Sequence, residues 1–218
     1  LLEELGLNYE LKIYKRQPDK LAPPEFKAIS PLGTSPCITD NDDGDQDALS
    51  ESNAIIDYIL DKASAANNSK IAKQLRPTSS STTSRRDYLF WFHVSPGSFM
   101  PLLTMSAIFK YIESVLPCLL SGLFRTVFSK VKESFVLPRL KNMMDLAETK
   151  LTAHDFLAGS ELTAADITMI YGMETIRDEF ADSIWKDYPK CSAWMKRMQA
   201  RPAFISAQKK SGDSPDVV

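Results

Sequence analysis

Cysteine and histidine are scarce in this chain, and neither is arranged for chemistry. Cys37, Cys118 and Cys191 are widely spaced, and no CxxC pair occurs. Three scattered thiols make no disulfide framework and suit a reducing compartment, which points to the cytoplasm. His93 and His154 belong to no Cys/His cluster, so no zinc site of ordinary ligand spacing is present. An excess of positive charge is also missing. With 26 Lys and Arg against 28 Asp and Glu, the net charge of -2 argues against general affinity for nucleic acid. No apolar run reaches the length of a membrane span. Residues 94–109 are uncharged for 16 residues, but Pro96, Gly97 and Pro101 lie inside and Lys110 ends the stretch, whereas a spanning helix needs about 20 apolar residues. No secretory leader is visible, because Glu3 and Glu4 open the chain and no apolar core follows. No internal repeat occurs.

What remains is ordinary globular composition: 218 residues, 44% hydrophobic and 25% charged, enough to bury a core in one or two domains. Residues 1–5 read as the end of a helix stopped by Gly6. Residues 9–14, YELKIY, alternate polar and apolar and predict a strand. Pro23 and Pro24 suit the start of a short helix over 25–29. Residues 36–39 predict a second strand. The turn-rich Asn41-Asp42-Asp43-Gly44 joins it to Ala48-Leu49 as a hairpin. Ala54, Ile55, Tyr58 and Ile59 mark one face of a helix over 50–63. Residues 64–84, rich in Ser, Thr, Asn and Ala and free of acidic residues, form the natural boundary.

From Arg85 onward every strong pattern is helical, interrupted at Pro117 and Gly122 and kinked or broken at Pro138. The clearest helix start is ELTAADI at 161–167, with Thr163 as N-cap and Asp166 three residues on as an approximate capping box. Leu162 and Ile167 sit at the staple positions. Helices over 189–200 and 202–207 follow, then a polar tail from 211. The order is an α/β module followed by an all-α domain.

Two places carry chemistry. Ser35-Pro36-Cys37 puts a proline at a strand start, where its missing N–H and a cis bond are tolerated. Ser50-Glu51-Ser52 puts hydroxyls and a carboxylate at a helix N-terminus, where free N–H groups and the helix dipole favour an anion. Taken alone, that second pattern is an ordinary helix start. Cys37 reads as a buried small hydrophobe in preference to a redox group. His93 in Trp91-Phe92-His93, and the methionines 100, 105, 143 and 144, read as packing residues.

The ordered set PLGTSP (31–36), Glu51-Ser52, Ala54-Ile55, the capped helix at Thr163–Asp166, Tyr188-Pro189, Trp194 and RPAF (201–204) resembles the soluble glutathione transferase superfamily over nearly the whole chain. The runs APPEFKAISPLGTSP and YLFWFHVSPGSFMPLL are similar to its fungal, yeast membrane-associated type. The resemblance implies a thioredoxin-like glutathione-binding domain over 1–63, a linker over 64–84, an all-helical domain over 85–210 and a tail over 211–218. It implies glutathione as co-substrate, with Ser35 and cis Pro36 meeting the cysteinyl backbone, Ser52 the γ-glutamyl carboxylate, Glu51 the ammonium, and Thr34 a lesser contact. It places Trp91, Ser95, Phe99 and Met100 near a hydrophobic electrophile, and it implies a homodimer. Thr163 and Asp166 serve folding.

The family's first strand, and the catalytic Tyr, Ser or Cys that follows it, have no counterpart in these residues. The expectation is that they lie upstream of Leu1 and that no catalytic residue is present from 1 to 218. The strand over 9–14 would then want its sheet partner. Two functions stay open: conjugation of glutathione to apolar electrophiles, with hydroperoxide reduction beside it, and a non-catalytic binding or scaffold module. A weaker third is peripheral membrane contact through the apolar, Lys/Arg-containing region 99–132.

Overall fold

The structure is a computed structural model, and it describes residues 1–40, 48–66, 69–78 and 85–212. The chain divides into two compact units, Leu1–Arg76 with Gln199–Val218, and Pro77–Met198.

In the first unit, α1 (Leu2–Leu5) ends on Gly6, whose φ of 62° is the left-handed turn a glycine adopts without a Cβ clash. Residues 7–17 carry no regular structure. The strand expected over 9–14 is therefore absent. A strand exists through its ladder, and among the described residues no segment pairs with this one. Leu11 and Ile13 stay about half exposed in consequence. The ends of the segment are tied: the Tyr9 hydroxyl donates to Glu3 at 2.7 Å, and the Tyr14 ring lies 5.2 Å from Phe26.

The short helix α2 (Pro24–Lys27) starts at the double proline and buries Phe26. Then come β1 (Cys37–Ile38) and β2 (Leu49–Ser50), antiparallel, with Cys37 opposite Ser50 and Ile38 opposite Leu49. The turn assigned to Asn41–Gly44 lies outside the described residues. Helix α3 (Ser52–Ala65) buries Ile55, Ile56, Ile59, Leu60 and Ala63. Of the face read from the sequence, Ala54 is exposed and Tyr58 sits at the edge. Its hydroxyl reaches Asp40 at 2.8 Å, which keeps that end of the ring near the surface. Part of the expected linker is helical: α4 (Ser69–Leu75) buries Ala72 and Leu75 and packs on α3.

Helix α11 (Pro202–Ser211) counts with this unit and buries none of its side chains. Polar contacts hold it to α1. Arg201 makes a two-pronged bond to Glu4 at 2.6 and 2.9 Å, and Glu3 accepts from Ser206 at 2.8 Å and Lys210 at 2.5 Å.

The elements of the second unit are helices among its described residues, beside one isolated bridge between Phe156 and Gly159. α5 (Arg85–Val94) continues through a π-turn over Ser95–Phe99 into α6 (Met100–Val115), and α7 (Cys118–Val131) through a second π-turn over Lys132–Val136 into α8 (Leu137–Ala153). Each π-turn stops two residues before a proline, Pro101 or Pro138. Proline donates no N–H and crowds the carbonyl four residues back, and the wider turn relieves both conflicts without breaking the helix. Pro117 does end a helix. Gly122 does not: it lies inside α7, open to solvent, where the penalty of about 1 kcal/mol against Ala is borne by its neighbours.

Helix α9 (Ala164–Glu179) packs on α5, with Gly172 directly against the Phe99 ring; a Cβ there would sit 2.5 Å from it. Its N-terminal capping box is formed. The buried Asp166 carboxylate accepts four bonds, from the Leu157 and Thr163 N–H groups, the Thr163 hydroxyl and the Trp194 indole. Helix α10 (Pro189–Gln199) is capped from α8, since Glu148 accepts the N–H groups of Lys190 and Cys191 at 2.8 and 2.9 Å. No helix among the described residues is long and apolar enough to cross a membrane.

Candidate functional site

The first unit gathers the expected glutathione contacts at one end of its hairpin. The Ser35–Pro36 peptide is cis, and Pro36 stands directly before β1, where it has no ladder N–H to give. The loop before it turns on Gly33, at φ 65°, whose N–H donates to the Ser30 carbonyl at 2.8 Å. A Cβ at Gly33 would crowd Ala22 at 3.2 Å, a second reason for glycine. Thr34, Ser35 and Pro36 are exposed.

The pairing of Cys37 with Ser50 carries this loop to the start of α3. One residue beyond that pair on each strand are Pro36 and Glu51. Glu51 is the residue before α3, with φ 77° and ψ 113°, a conformation that L-residues rarely adopt. Such outliers cost about 1–3 kcal/mol and cluster where a site demands them. The first α3 bond runs from the Ile55 N–H to the Glu51 carbonyl at 2.9 Å. The first turn of α3 carries no acidic side chain, so its dipole end is open to an incoming carboxylate. Ser52, its first residue, is exposed, as is Glu51.

Sequence reasoning missed one member of this arrangement. Ser30 is 1% exposed, and its hydroxyl lies 3.0 Å from that of Ser50. The only signal in the sequence is a serine closing an otherwise apolar turn after Phe26 and Ile29. The left-handed backbone at Glu51 carries no sequence signal at all.

Cys37 is half-buried, and burial pushes its thiol above the ordinary value, away from the thiolate that nucleophilic chemistry needs. Its reading as a packing residue fits that environment.

In the second unit, three of the four residues placed near the electrophile are core. Trp91 is 1% exposed and Phe99 fully buried against Gly172, and the buried Ser95 hydroxyl donates to the Thr168 carbonyl at 2.7 Å. Met100 is half-buried. His93 is exposed, edge-on to Phe92 at 5.3 Å. Ser95 and Phe99 of the π-turn thus meet α9, through the Thr168 carbonyl and Gly172.

Comparison with known proteins agrees with this architecture. The family pattern "Glutathione S-transferase, N-terminal domain" matches residues 1–62, and "Glutathione S-transferase, C-terminal domain" matches residues 120–207. Glutathione S-transferase 3 of Schizosaccharomyces pombe is 27% identical over 98% of this chain and 82% of its own length. Glutathione S-transferase 1 of Saccharomyces cerevisiae is 29% identical over 97% of this chain and 88% of its own. Among solved structures, a glutathione S-transferase from Actinobacillus pleuropneumoniae superposes with a TM-score of 0.70 at 25% identity, over 96% of this chain and 84% of that one. A family member from Pseudomonas fluorescens, solved with two glutathione bound, gives 0.69 at 24% identity over 94% of this chain and 83% of that one.

The chain belongs to the glutathione transferase superfamily. Residues 1–62 match the thioredoxin-like domain of that family, here with few strands, and an all-helical domain follows.

Proposed function

We propose that this protein binds glutathione at the Thr34–Pro36 loop and the Glu51–Ser52 helix start, and conjugates it through its sulfur to hydrophobic electrophiles. The observation that carries the reading is the Cys37–Ser50 pairing, which sets a cis Ser35–Pro36 bond beside the dipole end of α3. Ser35 offers its backbone N–H and C=O to the cysteinyl part of the ligand, with Thr34 alongside. Ser52 receives the γ-glutamyl carboxylate with its hydroxyl and N–H, and Glu51 takes the ammonium. Both ends of a zwitterion then meet opposite charge.

The chemistry is that of a thiolate. Glutathione loses its thiol proton to solvent, and the sulfur lone pair forms a C–S bond while a leaving group departs with its electrons, or while the electrons of a polarised double bond shift onto the electrophile. We assign the stabilisation of that thiolate to no residue between Leu1 and Val218. Reduction of a hydroperoxide, with oxidation of two glutathiones to the disulfide, is a second activity of the same sulfur. An apolar co-substrate and a homodimer complete the proposal. Met100 is the one residue of the expected electrophile set whose side chain is not fully committed to the core. Free Cys37 and Cys191 fit a reducing, cytoplasmic setting.

The test is conjugation of a chlorodinitrobenzene with glutathione in excess. Turnover by the wild type, with a KM for glutathione raised about tenfold in Ser52→Ala, supports the enzyme. Binding of glutathione without turnover on electrophiles or hydroperoxides supports the binding module instead.

Peripheral membrane contact rests on a separate observation. Helix α7 exposes Leu120, Leu123 and Val127, none of its residues whose burial is described is buried, and its charges are Arg125 and Lys130. Such a helix suits an anionic lipid surface. Co-sedimentation with phosphatidylserine vesicles that is lost on Leu123→Ser with Val127→Ser tests it, and equal behaviour of both proteins contradicts it.

A further inference from the structure

We propose that Ser30 is a positioning residue for the glutathione site, tying the two halves of that site through its hydroxyl and its carbonyl. The proposal rests on the reading of 34–36 and 51–52 as the glutathione contacts.

Three observations support it. The Ser30 side chain is 1% exposed, so its hydroxyl has no bulk water to satisfy it. That hydroxyl lies 3.0 Å from the Ser50 hydroxyl, at the last residue of β2 and directly before the strained Glu51. The Ser30 carbonyl meanwhile accepts the Gly33 N–H at 2.8 Å, closing the turn that delivers Thr34, Ser35 and Pro36. One residue therefore holds both the loop that faces the cysteinyl backbone and the turn that faces the γ-glutamyl end. The hairpin ladder alone is two residues long on each strand. So short a ladder leaves the spacing between the two halves to side-chain bonds. Holding Glu51 at positive φ also needs a fixed residue before it, because the turn would otherwise relax toward an ordinary helix entry.

Ser30 touches no part of glutathione in this account. Its effect is on affinity for glutathione, through the placement of Glu51 and Ser52, and not on the apolar co-substrate.

The experiment is a double-mutant cycle on the full chain, read by calorimetric titration with glutathione and by amide hydrogen exchange without ligand. Loss of Ser30→Ala's hydroxyl bond should weaken glutathione about tenfold, the size of one net hydrogen bond. Ser50→Ala should do the same, and the double variant should be no weaker than either single one, since both remove one bond. Ser50→Thr keeps a hydroxyl on a strand residue and should restore affinity. In the absence of ligand, exchange should quicken at 33–37 and 50–53 in Ser30→Ala and stay unchanged in α9. Wild-type affinity in Ser30→Ala, or additive losses in the double variant, would overturn the proposal while leaving the glutathione site standing. A wild type that binds no glutathione overturns the site reading and the recognition role together. The exchange data then decide by themselves whether Ser30 holds the two segments, and unchanged exchange at 50–53 refutes that too.

Discussion

Glu51 carries the clearest conflict between a residue and its backbone. At φ 77° a glycine would be at ease, and a glutamate is not. Replacing it with glycine should therefore stabilise the fold, by about 1 kcal/mol, while removing the carboxylate that the ammonium of glutathione would meet. Chemical denaturation and ligand titration on Glu51→Gly should move in opposite directions. A variant that loses both stability and affinity would mean that the strain has no part in recognition. Ser52→Ala separates the other end of the ligand: affinity for glutathione should fall about tenfold with little change in stability, because Ser52 is exposed and the bond it loses is to the ligand. At this scale the sequence spoke well where side-chain chemistry is local. Pro36 before a strand and Thr163 three residues before Asp166 are both visible in one dimension. Ser30 was not, because its partner Ser50 lies 20 residues away, and neither was the Glu51 φ, which is imposed by the hairpin and not by glutamate.

Among the elements, the helices follow their punctuation and the strands do not. Pro23, Pro117, Pro189 and Pro202 start or separate helices where the sequence places them, since a missing N–H acts within one turn. The segment over 9–14 has the right alternation yet forms no strand, because alternation licenses a strand and only a neighbour creates one. The two π-turns were legible only as a conflict, a proline inside an apolar helical pattern; how the helix resolves it depends on the packing around it. The α5–α9 contact shows that packing at its tightest. Gly172→Ala would place its methyl group within 2.5 Å of the Phe99 ring and should destabilise the second unit by about 1–3 kcal/mol. A melting curve unchanged in that variant would contradict the close approach of α9 to the π-turn. The same packing buries Trp91, Ser95 and Phe99, the residues placed near a ligand by their position in the first long helix.

Across the whole molecule, the fold was readable from order alone, strands mixed with helices and then helices only, while the attachment of the last helix to the first was not. That link is electrostatic and joins residues some 200 positions apart: Glu4 to Arg201, and Glu3 to Ser206 and Lys210. Its bond to Lys210, then those from Tyr9 and Ser206, hold the Glu3 carboxyl at about 2, below its ordinary 4.5. A carboxyl depressed in the folded state contributes stability above its unfolded value and loses it as pH falls toward the folded one. Melting temperature should accordingly drop between about pH 4.5 and 2, and Glu3→Gln should flatten that part of the profile. An identical acid profile in Glu3→Gln would show that α11 is held otherwise. The central claim, however, is recognition of glutathione by the first unit. Calorimetric titration of the 218-residue chain with glutathione, beside Ser52→Ala, tests it most directly. Saturable one-site binding by the wild type, weakened about tenfold in the variant, is the predicted result; a wild type with no heat of binding at millimolar glutathione would contradict it.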